Sequence, residues 1–352
     1  MEKQSFVKRV GLPRIIIFVF IVALFIIGGF IGVDLKRSLV DVITRFGMNA
    51  ILVLSMIPMI QAGCGLNFGL PVGLIGGMLG AVLSLEFELK GFSGFVVALA
   101  IGMIFGAIFG WLYGLILNKV KGDEMIIATY VGFSFVALMN IFWVILPFKN
   151  PESVMGFNGE GLRTTISLGK YWDKAVSKIF GITLSTNSEI GDKLLIPTGM
   201  FIVFAVFAYI VYLFFKSKKG TTLTAVGSNE NYARAAGVNV DRSRLLAVIL
   251  SCSIGAAGMV MYQQSYGFVQ MYNAPLAFAF PSVAAILLGG ASINKANIKN
   301  VLIGAFLFQG ILTMTPTVIN TAIKVDISEV LRLIISNGLI VFALTRKEGG
   351  NN

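Results

Sequence analysis

The side chains of this sequence that could do chemistry are few and mostly uncharged. Gln61, Asn67, Thr129, Tyr130, Ser134, Asn140, Gln263, Gln264 and Asn273 are scattered through otherwise apolar stretches. Groups that donate and accept hydrogen bonds without carrying charge suit a neutral, hydroxyl-rich solute, with aromatic faces such as Phe68 and Trp143 beside them. Gln61, Asn67, Phe68, Thr129, Asn140, Gln264 and Asn273 are the candidates to line a passage for such a solute; the competing use of each polar one is a hydrogen bond to a neighbouring helix. Reactive groups are missing. The sequence holds no histidine, so neither a Ser/His nor a Cys/His nucleophile can be assembled, and no metal-binding cluster is spaced along it. No Gly-x-x-x-x-Gly-Lys-Ser/Thr loop occurs, and Gly169-Lys170 is followed by Tyr171, so the chain is expected to hold no cofactor and to hydrolyse no ATP itself. Cys64 and Cys252 lie in apolar or glycine-rich surroundings and read as small buried residues rather than a disulfide.

The elements that must position these groups follow from composition. Hydrophobic residues make up 56% of the 352 and charged residues 13%, with a mean hydropathy of +0.86, values of an all-α polytopic integral membrane protein. Apolar runs fall at 15–33, 44–61, 70–85, 94–117, 125–147, 196–215, 245–262, 277–290, 301–315 and 328–345, giving about ten transmembrane helices in one domain covering 1–352. The first run is long enough to span a bilayer and lacks a small-residue cleavage site, so it reads as a retained helix. With both termini in the cytoplasm, that side collects sixteen basic against six acidic residues and carries +10 of the net +11. Basic residues spread over short loops explain the charge better than a nucleic-acid surface does. No Asp or Glu falls in 48–85, 94–117, 125–147, 197–215 or 245–290, so a proton relay at depth is not expected and energy must enter from elsewhere.

Two features organise the runs. Gly102, Gly106, Gly110 and Gly114 stand four apart and make one helix face smooth enough for another backbone to approach, as Gly73, Gly76, Gly77 and Gly80 do in the preceding helix. Phe68-Gly-Leu-Pro71 and Phe278-Ala-Phe-Pro281 are alike at an offset of 210 residues, with five helices between, which suggests an inverted 5+5 repeat. The long polar segment 149–195 is an extracytoplasmic insertion, in which Trp172, Ala175, Val176, Ile179 and Phe180 recur at helical spacing. The expectation is an amphipathic helix lying along the membrane surface, with reception of a binding protein as the sharper reading.

Within the cytoplasmic loop 216–244, Gly227 to Gly237 reads as a small capped helix: Ser228 as N-cap, Glu230 in the first turn, Arg234 four residues later, and Gly237 in the left-handed position after the end. Ala233 and Ala236 share a face and would leave a shallow surface for a partner's groove.

Gly227, Asn229, Ala233, Ala236, Gly237 and Val238, followed by Arg242 and Arg244, then Leu250-Ser251 with Gly255-Ala-Ala-Gly258, then Leu288-Gly-Gly290, resemble in order the permease subunits of bacterial ABC importers for ribose, other simple sugars and nucleosides. The resemblance extends from about Met48 to Thr345. It implies a permease in the bacterial inner membrane that imports a simple sugar or a nucleoside. It also implies an ATP-binding cassette dimer that binds the ATP and Mg, a second permease subunit and an extracytoplasmic binding protein as partners. Ser228, Asn229, Glu230, Tyr232, Ala233, Arg234, Ala236 and Gly237 then form the coupling helix that docks on the ATPase. Gly65-Leu66-Asn67 stands where the family carries Gly-Ile-Asp/Asn, so Asn67 replaces the usual acid. A secondary transporter working alone is the other reading.

Overall fold

The computed structural model describes residues 12–155, 161–184 and 194–345. Within them each apolar run lies on a helix, because away from water a backbone must satisfy its own hydrogen bonds. The helices are α1 (Leu12–Phe30), α2 (Leu35–Leu54), α3 (Ile57–Gln61), α4 (Leu70–Glu86), α5 (Gly91–Lys119), α6 (Glu124–Ile145), α7 (Ala175–Phe180), α8 (Thr198–Lys216), α9 (Lys218–Ser228), α10 (Glu230–Ala235), α11 (Val240–Tyr266), α12 (Leu276–Leu288), α13 (Ile298–Ile323) and α14 (Ser328–Thr345). Six stretches among the described residues are long and apolar enough to cross a membrane: Leu35–Gln61, Gly91–Lys119, Glu124–Ile145, Thr198–Lys216, Val240–Tyr266 and Ile298–Ile323. Arg14–Phe30, Leu70–Glu86 and Leu276–Leu288 are apolar but shorter. The chain is a mostly helical, multi-pass membrane protein.

α4 is the axis of the bundle. Apolar on every side, it is buried along nearly its whole length against α5 and α11. The glycine registers make this possible. A Cβ on Gly80 would stand 2.3 Å from the carbonyl oxygen of Ala98, one on Gly76 2.4 Å from the amide nitrogen of Gly106, and one on Gly106 2.8 Å from the carbonyl oxygen of Cys252. Gly110 meets the Cβ of Cys252 and Gly114 the side chain of Leu245, so the α5 stripe packs α4 and α11 together as expected. The outer faces of α5, α6 and α8 are broadly exposed and apolar. Cys64 and Cys252 are buried and unbonded.

Two expectations are corrected. The described chain is not purely helical: β1 (Thr165–Ser167) pairs antiparallel with β4 (Phe268–Gln270), and β2 (Ile182–Leu184) with β3 (Leu194–Ile196). Gly267, at φ +85°, stops α11, and the chain beyond it finds its backbone partners in the insertion. Nor does the insertion's helix lie on the membrane surface. It begins at Ala175, and Trp172, Ala175, Val176 and even Ser177 are buried against α5, α8 and α11, with Trp172 edge-on to Phe95. A pattern of buried faces tells that a helix has an apolar side, not whether lipid or protein covers it; the side chains of Ile179 and Phe180 lie outside the described residues. Of the two Phe-x-x-Pro segments, one places Pro71 in the first turn of α4 and the other places Pro281 inside α12.

Candidate functional site

The two ends of the bundle have different characters, set apart by the 27 residues of α11, about 40 Å. At the end where α11 begins stands the capped segment. Its boundaries differ from the expected ones by one residue: Ser228 closes α9, its hydroxyl donating to the carbonyl of Thr224, and Asn229 is the N-cap of α10, its side chain accepting from the amide of Tyr232 at 2.9 Å. Serine loses the cap because Ser217, itself an N-cap, starts a helix through Lys218–Ser228 that sequence periodicity did not reveal. The far end is as expected. Gly237, at φ +80°, donates to Arg234 and Val238 donates to Ala233, the two bonds of a Schellman motif. Replacing Asn229 by Ala should cost about 1 kcal/mol locally and speed exchange of the Tyr232 amide about fivefold, whereas Ser228→Ala should leave that amide unchanged. Hydrogen exchange read by mass spectrometry decides between the two caps.

The face of α10 also differs from expectation. Ala233, only 2% exposed, packs with Val226, Val238 and Val240 of this same chain, so it cannot enter a partner's groove. Tyr232, at 72%, is the large apolar side chain left outward, with Arg234, Ala235 and Ala236 beside it. Glu230 fastens the helix down. It accepts from Lys121 and from Arg234, each at 2.8 Å, and lies 3.6 Å from Arg244, whose nearly buried guanidinium also pairs with Glu124. The hydrogen bonds from Lys121 and Arg234 hold the Glu230 carboxyl below the usual carboxylate range, so it is charged at neutral pH. Lys121 further reaches Asp241 at 3.3 Å. Sequence reading found the Glu230–Arg234 pair, which is local, but missed Lys121, Glu124 and Arg244, which are brought in from more than a hundred positions away or from another helix.

From this end the structure leads to a break in the bundle. α9 meets it backbone to backbone: a Cβ on Gly227 would stand 2.1 Å from the carbonyl oxygen of Gln61. The Gln61 amide donates to the carbonyl of Ala296, and Gln61 also borders a cleft of about 370 Å³ between α3, α8 and the start of α13. Beyond Gln61 the backbone leaves the helix until α4 begins. Asn67 stitches this break rather than lining a passage. It is fully buried, donates to Ser251 at 2.8 Å and accepts from Tyr113 at 3.3 Å, while Ser251 donates to the carbonyl of Ser55. An amide does this better than a carboxylate, since it can donate to Ser251 while accepting from Tyr113.

The other passage candidates separate into two groups. Phe68 meets Phe280 of α12 with the rings tilted and their centroids 5.1 Å apart, and Asn140 of α6 donates to Asn273, which precedes α12, at 3.0 Å. Gln264 belongs elsewhere: fully buried, it accepts from the amide of Val176 and anchors the insertion. Thr129 donates to the carbonyl of Met125 one turn back on its own helix. Gln263, next to Gln264, is fully buried with neither amide atom bonded among the described residues, the kind of group that is costly unless a guest or water meets it. The structure thus gathers Phe68, Asn140 and Asn273 around α12, and leaves Gln61 at the opposite end of the break. Among the described residues no cluster of three or more Cys, Asp or Glu could hold a metal ion.

The family described as branched-chain amino acid transport system / permease component matches residues 38–344. Among curated proteins, a nucleoside ABC transporter permease protein of Lactococcus lactis is 27% identical over 41% of this chain and 38% of its own length. An autoinducer 2 import system permease protein of an Enterobacter species is 32% identical over 35% of each chain. The ribose import permease protein of Escherichia coli is 28% identical over 34% of this chain and 37% of its own length. The chain therefore matches less than half the length of each of these relatives.

Proposed function

From the premise that this chain belongs to the branched-chain amino acid transport permease family, we propose that it is the membrane permease of an ATP-binding-cassette importer moving a simple sugar or a nucleoside into the cytoplasm. The observation that carries the mechanism is α10: a helix capped at both ends, latched to the α5–α6 loop and to α11 through Glu230, and offering Tyr232 outward. A helix so held moves as a unit with what it is bonded to. An ATPase dimer gripping Tyr232 and Arg234 would drag the α9 end, and Gly227 would pass the motion to Gln61 and the break before α4. In that way closure of the ATPase at one end reaches the solute path about α12.

The topology that fits this reading has ten spans, both termini and α10 in the cytoplasm of a bacterial inner membrane, and two inverted halves of five, with α4 and α12 as short helices inside the protein. The end bearing β1 and β4 then faces outward, where a binding protein delivers solute, and a second permease subunit covers the exposed apolar faces of α5 and α6. Between the sugar and nucleoside versions, the Phe68–Phe280 pair favours a solute with a face to stack on, which both offer.

Uptake into liposomes should require the separate ATPase subunit and ATP, and should persist when a protonophore collapses the proton gradient. Accumulation by the purified chain alone on an ion gradient would instead establish a stand-alone secondary transporter.

A further inference from the structure

The cleft of about 370 Å³ that Gln61 borders lies where two membrane-length helices end: α8 finishes at Lys216 and α13 begins at Ile298. Its walls are apolar, with Ile57, Val211, Phe215 and Ile298 lining it. Its rim is basic. Lys299 lines the cleft, and Lys216 lies over the ring of Tyr212, another lining residue, with its Nζ 4.5 Å from the ring centre. Both lysines are exposed, and among the described residues neither makes an ion pair. The helices that wall the cleft bring no acid to it, since residues 48–85, 194–229 and 242–325 hold no Asp or Glu. The apolar wall also runs on along α8: Tyr212 is exposed, and Tyr209 and Val206, three and six positions back, continue the same exposed face.

An apolar wall that continues onto an exposed helix face, rimmed by two cations at the level where the helices leave the membrane, matches a molecule with an anionic head and apolar chains. We propose that this cleft binds an acidic phospholipid, with the phosphate between Lys216 and Lys299 and the chains along Val211, Phe215 and the outer face of α8. The N-terminal end of α13 opens on the same place, and its dipole adds to the attraction. A zwitterionic lipid brings the same chains, but its own cation offsets the gain from the lysines. On the orientation proposed above the cleft faces the cytoplasmic leaflet, the one that carries acidic lipid. The position has a consequence for coupling, which rests on the importer reading. The Gln61 amide donates to the carbonyl of Ala296, both of them lining the cleft, and Gly227 of α9 lies against the Gln61 carbonyl. A lipid seated there braces α3 against α13 at the contact through which movement of α10 reaches the break before α4.

The test uses the purified full chain in detergent, titrated with phosphatidylglycerol or phosphatidylcholine. Native mass spectrometry counts the lipid retained, and thermal unfolding is the second readout. Phosphatidylglycerol should fill a saturable site and raise the unfolding midpoint, and phosphatidylcholine at the same concentration should do neither. Lys216→Gln and Lys299→Gln should each weaken the apparent affinity about fivefold and together about thirtyfold, whereas Lys216→Arg with Lys299→Arg should keep it. Lys119→Gln is the control. It removes an exposed cation at the same end of the bundle, on α5 and outside the cleft, and should bind as the parent chain does. Equal losses in Lys119→Gln and in the double glutamine variant would show only diffuse attraction to a basic end and overturn the site. Unchanged retention of phosphatidylglycerol in the double glutamine variant, or equal retention of phosphatidylcholine by the parent chain, would overturn it too. If the double glutamine variant keeps its lipid but no longer co-purifies with an ATPase subunit, the cleft is a protein contact and the lipid assignment falls. Lipid retention is measured on the chain alone, so its failure leaves the importer reading standing.

Discussion

Gly80→Leu will cost the protein about 3 kcal/mol or more and abolish most of its folded yield. The Cβ alone would meet the carbonyl oxygen of Ala98 at 2.3 Å and the amide nitrogen of Gly102 at 2.5 Å, both main chain and neither able to swing aside. Overpacking a core against side chains costs about 1–3 kcal/mol, and here the obstacle is a helix backbone, so α4 and α5 must part along their whole contact. In a membrane the loss is not recovered by repacking elsewhere, since lipid tails are as apolar as leucine and only close van der Waals contact holds such helices together. Gly338→Leu is the control: a Cβ on Gly338, on α14, has no atom within 4 Å, and that variant should behave as the parent chain does. The measurement is thermal unfolding in detergent together with the monodisperse fraction on size exclusion. A Gly80→Leu protein as stable as Gly338→Leu would show that the two glycine stripes do not set the spacing of the helices.

The second large effect is expected at Tyr232. Aromatic side chains that are exposed on a rigid support are the usual anchors of interfaces, and removal of one typically costs about 2 kcal/mol, roughly a thirtyfold loss of affinity. Tyr232→Ala should therefore weaken co-purification with the ATPase subunit and reduce ATP-driven uptake, while the amides of α10 keep their protection from exchange. Ala233→Trp is expected to fail differently. Ala233 is buried against Val226, Val238 and Val240, so an indole there forces α10 off α9 and α11 and exposes the whole segment to exchange. If Tyr232→Ala bound and transported normally, α10 would be an ordinary loop helix and the proposed route from ATPase to Gln61 would lose its entrance. If Ala233→Trp lost the partner with α10 intact, the face of the helix would be the one its alanines suggested.

How a local rule succeeds and fails is visible within α10. The Glu230–Arg234 pair, the left-handed Gly237 and the short helix between them were legible because each depends on residues at most a few positions apart. The cap residue was misread because it depends on whether the preceding segment is itself helical, and α9 carries no strong apolar period. The face was misread because small residues are compatible with contact on either side.

The sequence by itself determined the class of protein, the positions of the apolar helices and the close packing on the glycine stripes. All of these follow from hydropathy, length and spacing, which act through water, lipid and the local backbone. Only the tertiary structure decided which neutral polar groups are spent within the protein. Asn67 and Gln264 bind their own chain, Asn140 and Asn273 meet across α6 and the approach to α12, and Gln263 has no partner among the described residues. It also decided that Trp172 is covered by protein rather than lipid. A hydrogen bond requires two groups within a few ångströms, and Asn67 and Ser251 acquire that proximity only when the break before α4 has packed on α11; a polar residue counted along the chain carries no information about which partner it will meet.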